Sequence, residues 1–316
     1  MKILVHSGAS ANDSHLKEEI PAAIRLAEAA GIRVEVVGRL SDAKERLTLP
    51  ARNPSSVSAL LSADNTAKIY AAVVRHLQPL TIREDDGLRE STLKAPLAAI
   101  MPTAKSNYPF VLSDAGAHTE NSPMGIAVGA LLCGAFWRVA RGGRYPRYGV
   151  FGYGEEESKL PTDMRMAYNM LRSYKHRSVK IVEPKEILAG DAAEVLVVRN
   201  GEIGNVILKT AEATISAFGT IVREEIRAQT LTLLGGALVR PAFDRVKDRL
   251  YHGDAHGALF LGPTKPVMKH HGRMGAEDLF LAIQRLATYV KDDVSGHTRS
   301  TFLAQIKTEH PGWLVE

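Results

Sequence analysis

The sequence predicts an α/β protein: a mostly parallel sheet covered by helices on both faces, with a helical hairpin projecting from it. Three observations carry this. Short apolar runs alternate with stretches of helical spacing along most of the chain, the pattern of parallel strands joined by crossover helices. Glycine-rich segments recur just after the apolar runs, where sheets of this kind bind ligands. The stretch 211–250 is helical throughout and breaks the alternation.

Lys2–His6 reads as the first strand, Lys17–Ala30 as an amphipathic helix closed by Gly31, and Ile32–Val37 as the second strand, an opening βαβ unit. A helix is expected over Ser56–Leu77, and the polar, charged Pro79–Lys94 as a surface loop. Strands follow at Leu97–Met101 and Phe110–Ser113, then an apolar helix at Met124–Val139. A strand at Tyr148–Tyr153, a helix at Met164–Tyr174 and a strand at Val179–Val182 continue the rhythm. Ala193–Val198, apolar except for Glu194, is short enough for a buried strand, and Val206–Phe218 has the spacing of a helix. Ala211–Leu250, with Gly235-Gly236 in its middle, reads as a helical hairpin with its tip at Leu231–Phe243.

At 316 residues the chain can bury a sizeable core, and length alone admits one large unit or two smaller ones. A hydrophobic fraction of 45% with 24% charged residues indicates a soluble globular protein. A single cysteine excludes an internal disulfide and suits a reducing compartment; Cys133, inside the apolar helix, reads as a packed thiol. The apolar run Gly125–Trp137 is too short to span a bilayer and the N-terminus lacks a signal-peptide pattern, so a cytoplasmic location is expected. The net charge of +5 favours an acidic partner without naming it: an acidic protein, an anionic substrate and an anionic membrane surface all fit. Nucleic acid is disfavoured, because aromatics are 6% and no basic run is interleaved with them.

Five segments have the character of site loops. In Asn200–Thr210, Gly201 and Gly204 permit close approach, and the helix that follows would offer unpaired N–H groups to an anion. Ser62–Ala67 opens a helix with small polar groups suited to phosphate, among them Ser62, Asn65 and Thr66, although Asp64 and Asn65 also suit helix capping. Ser113–His118 offers a carboxylate, Asp114, and an imidazole, His118, but no serine in an elbow motif, which leaves a hydrolase triad unsupported. Gly152–Lys159 presents Gly154, Glu155 and Lys159, with Glu155–Glu157 equally suited to a solvated helix start. His256–Gly262 precedes Val267–Gly272, which carries Lys269 and His271. The adjacent His270 and His271 point different ways and have no carboxylate or cysteine at ligand spacing, so no metal is expected. No Gly-x-Gly-x-x-Gly follows the first strand, which argues against a nicotinamide dinucleotide.

Gly154-Glu155-Glu156-Glu157 with Lys159, then Gly201 through Thr210, Gly257-Ala258 with Leu261-Gly262, and Lys269 with His271-Gly272 resemble, in order and spacing, segments of the PlsX family. That family comprises the acyl-[acyl-carrier-protein]:phosphate acyltransferases of bacterial phospholipid synthesis. The resemblance covers nearly the whole chain. It implies one domain over 1–316, with the hairpin 211–250, and a Rossmann-like three-layer sheet of the isocitrate-dehydrogenase and phosphotransacetylase kind. It also implies an enzyme without a cofactor, a homodimer with its site near the subunit interface, and peripheral membrane association. Its substrates would be inorganic phosphate and the thioester of an acyl carrier protein. Lys159 matches a lysine regarded as catalytic in the family, and Asn205 matches its Gly-Asn position. Ser62, Asn65, Thr66, Asp114, His118, Gly154, Glu155, Gly201, Gly204, Lys209, Lys269 and His271 are the expected substrate and phosphate contacts. The chain departs from the family pattern at His6–Ala11, at Asp64 and Ala67, at Leu160-Pro161 and at Asn200. Two further readings therefore stand beside the first: a divergent paralogue using another thioester or acceptor, and a catalytically silent carrier-protein or membrane-binding homologue.

The hairpin tip is too short and interrupted to span a bilayer, yet apolar at Leu231, Leu233, Leu234, Leu238, Val239 and Phe243. Arg223, Arg227, Arg240, Arg245, Lys247 and Arg249 lie in or beside it, which suits a surface that dips into anionic headgroups. Packing in a dimer interface is the alternative use of the same composition.

Overall fold

The computed structural model describes residues 1–8, 14–84, 89–105, 109–174, 177–190, 193–251, 257–270 and 275–315. The opening unit is as expected: β1 (Lys2–His6), α1 (Ser14–Ala29) and β2 (Arg33–Val37), with β1 and β2 in parallel register from Lys2↔Arg33. A short helix, α2 (Leu40–Thr48), follows and buries Ala43 and Leu47. The single helix expected over Ser56–Leu77 is instead a strand and a helix. The strand, β3 (Ala59–Ser62), is wholly buried between β1 and a later strand, because pairing on both sides outweighs the local helical spacing. The helical part comprises α3 (Thr66–Ile69), a π-helical turn at Tyr70–Val74, and α4 (Arg75–Leu77).

The loop expected at Pro79–Lys94 is also corrected. β4 (Thr81–Arg83) and β5 (Glu90–Thr92) pair as an antiparallel ribbon, and Leu80, Ile82 and Leu93 are buried beneath it. The next elements lie close to their expected places: β6 (Leu97–Met101), β7 (Phe110–Ser113), α5 (Pro123–Arg141), β8 (Tyr148–Phe151), α6 (Thr162–Arg172), β9 (Val179–Val182) and β10 (Val195–Val197). Then come α7 (Gly201–Arg227), α8 (Thr230–Tyr251), β11 (Ala258–Phe260), β12 (Val267–Lys269), α9 (Ala276–Lys291) and α10 (Val294–Glu309).

Ten strands form one sheet in the order β2-β1-β3-β12-β11-β6-β7-β10-β8-β9. Pairing is parallel among β2, β1, β3 and β12, and again among β7, β10, β8 and β9. Between these halves, β12–β11, β11–β6 and β6–β7 are all antiparallel. The two parallel halves therefore run in opposite directions. One face carries α1, α5, α6, α9 and α10 around a core that includes Leu131, Phe136 and Phe302; the other is covered by α2, the α3–α4 segment and the start of α7. The result is a three-layer α/β architecture.

α5 is long and apolar enough to cross a membrane, but most of it is buried against the sheet and its neighbouring helices, which accounts for its composition. Cys133 within it is a packed thiol, as expected, and burial pushes its pKa up to about 12. Near the C-terminus the ion-paired side chains of Arg177 and Glu309 are almost fully buried. His310 stacks on Trp313 with ring centroids 3.7 Å apart. Burial, with Arg177 beside it, lowers its pKa to about 4.

The hairpin differs from expectation in its corner. The break between α7 and α8 falls at Ala228–Gln229, not at Gly235-Gly236. Gly236 serves close packing instead, since a Cβ there would overlap Ile226 of α7. Leu238 is 84% exposed, and Val239 and Phe243 are also exposed along α8. The side chains of Leu231, Leu233 and Leu234 lie outside the described residues.

Candidate active site

The turn after β7 is organised by Asp114. Its carboxylate accepts backbone N–H groups from Leu97 at 3.1 Å, Gly116 at 3.2 Å, Ala117 at 2.9 Å and His118 at 3.0 Å, and it faces His118 Nδ1 at 2.8 Å. A carboxylate so fully engaged holds a loop in shape and orients the imidazole. The His118 side chain is buried, with the Tyr70 ring edge-on at 4.6 Å.

The first turn of α7 sits directly on this loop. A Cβ on Gly201 would lie within 2.7 Å of the Ala117 nitrogen, and one on Gly204 would overlap the Asp114 carbonyl. The two glycines do permit close approach, but to protein backbone. The expectation of unpaired N–H groups at this helix start is corrected in the same way. Gly201 N–H donates to the His118 carbonyl at 2.6 Å, Ile203 N–H to the Asn200 side chain at 3.1 Å, and Gly204 N–H to the Asn200 carbonyl at 3.2 Å. Asn200 in turn donates to the Thr119 carbonyl at 2.9 Å. The cap locks the helix to the loop and uses three of the donors an anion would need, those of Gly201, Ile203 and Gly204. What remains presented is Asn205, exposed, whose Cβ lies 3.5 Å from where a Gly116 side chain would begin; Gly116 itself has a φ of 131°. Lys209, a turn further along, is exposed and pairs with Glu212 at 2.8 Å.

After β8, Gly154 is buried beneath the Lys159 side chain, whose Nζ is 2.9 Å from where a Gly154 Cβ would stand. Glu155 is exposed. Lys159 lies in a 3-10 turn, Glu157–Lys159, and its Nζ pairs with Glu156 at 2.7 Å. That hydrogen bond and charge raise the lysine's pKa and keep it cationic. The acidic run is thus more than a solvated helix start: Glu156 holds Lys159, and Glu157 accepts from Asn169 at 3.0 Å. Arg199, just before Asn200, pairs with Asp163 at the start of α6. Because β7, β10 and β8 are adjacent and parallel, the loops bearing Asp114, Asn205 and Lys159 leave the sheet at one edge.

Ser62, Asn65, Thr66 and Lys269 form a second group. Lys269 is in register with Ser62, His6 Nδ1 lies 3.1 Å from Ser62 Oγ, and His270 N–H donates to the Ser62 carbonyl at 3.0 Å. Asp64 accepts the Asn65 N–H at 2.7 Å and pairs with Lys68 at 3.7 Å. Asn65 caps α3 through the Ala67 N–H at 2.9 Å, so the capping role is met. His271 lies outside the described residues.

These strands run opposite to β7, so the second group leaves the sheet by the other edge. The helical segment after Asn65 lies over the sheet face and brings Tyr70 against His118, joining the two groups. Sequence reasoning alone singles out neither His6 nor Tyr70. His6 ends a strand with no motif around it, and Tyr70 reaches the site only through packing of its helix.

The fold defines a class first. It resembles a phosphotransacetylase from Streptococcus pyogenes, with a TM-score of 0.50 at 14% identity over 92% of this chain and 94% of the other. It also resembles a branched-chain phosphotransacylase from Enterococcus faecalis, with a TM-score of 0.51 at 12% identity over 92% and 99%. Identities this low establish the architecture alone.

The family is narrower. The family model described as "Fatty acid synthesis protein" matches residues 56–297. A protein named phosphate acyltransferase from Thermoanaerobacter pseudethanolicus is 30% identical over 84% of this chain and 76% of its own length. Another of that name from Brevibacillus brevis is 26% identical over 89% and 82%. The chain belongs to the PlsX family, and it is an acyltransferase.

Proposed function

We propose that the protein transfers a long-chain acyl group from the thioester of an acyl carrier protein to inorganic phosphate, yielding acyl phosphate for phospholipid synthesis. The observation that carries this reading is the seating of α7 on the Asp114–His118 turn, which presents Asn205 beside Gly116 at the same sheet edge as Lys159. The relatives named phosphate acyltransferase support phosphate as the acceptor.

In this reading a phosphate oxygen attacks the thioester carbon, the carbon–sulfur bond breaks, and the carrier leaves as its thiolate. Phosphate is already a nucleophile, so the protein's task is to position it and stabilise the oxyanion. Lys159 supplies the cation, and the Asn205 amide donates a hydrogen bond to the same developing charge. Ser62, Asn65, Thr66, Lys269 and His271 hold phosphate, and because Ser62 and Lys269 leave the sheet at the opposite end from Lys159, the step requires the homodimer interface to bring one subunit's phosphate-holding group to the other's Lys159. Asp114, His118, Gly154, Glu155, Gly201, Gly204 and Lys209 shape the acyl and carrier side. Residues 1–316 act as one domain in a homodimer in the cytoplasm, and the exposed Leu238, Val239 and Phe243 of α8 meet an anionic membrane surface, where the product is consumed.

The test is to incubate the protein with palmitoyl carrier protein and labelled phosphate and to trap acyl phosphate with hydroxylamine. Phosphate-dependent hydroxamate is the expected product; its absence across acyl chain lengths overturns the reading. Asp64 supports a second reading, because a carboxylate next to Asn65 repels phosphate and favours a less charged acceptor. Acyl transfer to an added uncharged alcohol or thiol, with no phosphate-dependent hydroxamate above the background of direct thioester aminolysis, would select it.

A further inference from the structure

Away from the candidate site, basic side chains converge near the amino ends of β1, β2 and β12. A cavity of about 620 Å³ there is lined by Lys2, Arg33, Arg52 and Lys265, and Asp293 is the one carboxylate among its described lining residues. The cations are poorly compensated. Lys2 pairs with Glu35 at 3.3 Å, but Glu35 is shared with Arg46. Asp293 is engaged as the cap of α10, accepting the Gly296 N–H at 3.3 Å. Among the described residues no carboxylate pairs with Arg33, Arg52 or Lys265.

Lys265 is the most informative of the four. Its Nζ is partly buried and held by the Val57 carbonyl at 2.9 Å and Ser56 Oγ at 3.4 Å. An ammonium has three donors, so one remains for an occupant of the cavity. Burial without an opposing carboxylate depresses its pKa. Four cations face one concavity, and an anion seated there is attracted by all of them. The walls between the charges include the exposed Ala51 and Pro54 and the half-buried Val290, so the cavity offers apolar surface to an organic group beside its charge. Its volume lies within the range of ordinary small-molecule sites.

We propose that this cavity binds a soluble phosphate ester of about mononucleotide size, with the phosphate at Lys265 and Arg52 and the organic part against Ala51 and Pro54. The site is separate from the transfer chemistry, so it stands or falls independently of the acyl-transfer reading.

Calorimetric titration of the full-length protein with ADP, with adenosine and pyrophosphate as separate probes, tests it. ADP is expected to bind more tightly than either fragment and to weaken as salt is raised. Arg52→Gln and Lys265→Met should each weaken ADP at least about tenfold. Arg52→Gln, at an exposed position, should leave the melting temperature and the ADP-free transfer rate unchanged. No binding at millimolar ADP overturns the proposal, as does affinity retained in both variants. Pyrophosphate binding as tightly as ADP overturns the organic part, and binding lost in Asn205→Ala instead places ADP at the transfer site and equally sinks the idea.

Discussion

Lys159 is held by Glu156 at 2.7 Å on an exposed loop, and Asn205 is exposed beside Gly116, so neither contributes to the core. Lys159→Ala and Asn205→Ala should therefore each lower turnover by at least about 100-fold with little change in melting temperature, as for groups that stabilise developing charge. Wild-type turnover in Lys159→Ala would remove that residue from the site. His310 provides a different kind of test. Its pKa falls from an ordinary 6.5 to about 4 in the folded protein, so between those values the unfolded chain binds the extra proton. The contribution of neutral His310 is thus fully present above pH 6.5, is lost as pH falls toward 4, and changes little below that. Urea melts of wild type and His310→Gln from pH 7 to pH 4 should show a steeper acid decline in the wild type; parallel curves would contradict the assignment. At this scale much of the candidate site's composition is legible in the sequence. Gly201, Gly204, Asp114 and Gly154 could be picked from the sequence because their spacing is distinctive, but what they touch could not: Gly204 faces the Asp114 carbonyl across 90 positions of chain.

At the scale of elements, local signals were reliable wherever an element buries one stripe. α5 combines a Ser122 cap, Pro123 in its first turn and Gly142 beyond its end, and it lies close to where the sequence places it. They failed where pairing decided. Ala59–Ser62 is followed by a cap signal at Asp64-Asn65, but its four residues carry no strand periodicity of their own, and only pairing with β1 and β12 makes it a strand. The hairpin teaches the same lesson through glycine, since Gly236 marks close contact with Ile226 and not the corner. The exposed Leu238 and Val239 then lie along α8 beyond the turn. If they meet membrane, Leu238→Glu with Val239→Glu should abolish co-sedimentation with anionic liposomes and leave a dimer of normal mass. Monomers in the double variant would instead assign this face to the subunit interface.

For the whole molecule, the decisive feature is the antiparallel seam at β12, β11, β6 and β7, where the two oppositely directed halves of the sheet meet. Phe260 at this seam is 1% exposed, and Phe260→Ala should cost about 3–5 kcal/mol through lost burial and the cavity left behind. If 1–316 is one cooperative unit, tryptophan fluorescence and far-UV circular dichroism should shift together in urea; separated transitions would divide it. The sequence by itself determined the alternation of strands and helices, the glycine-rich loops and the family, because periodicity and motif spacing are local properties that no partner can alter. Only the tertiary structure decided that Ser62 with Lys269 and Asn205 with Lys159 leave the sheet at opposite edges, that Tyr70 links the two groups, and that three of the first α7 donors are used by Asn200 and His118. Strand direction and contact are relations between distant segments, and they exist only once burial has chosen which segments pair.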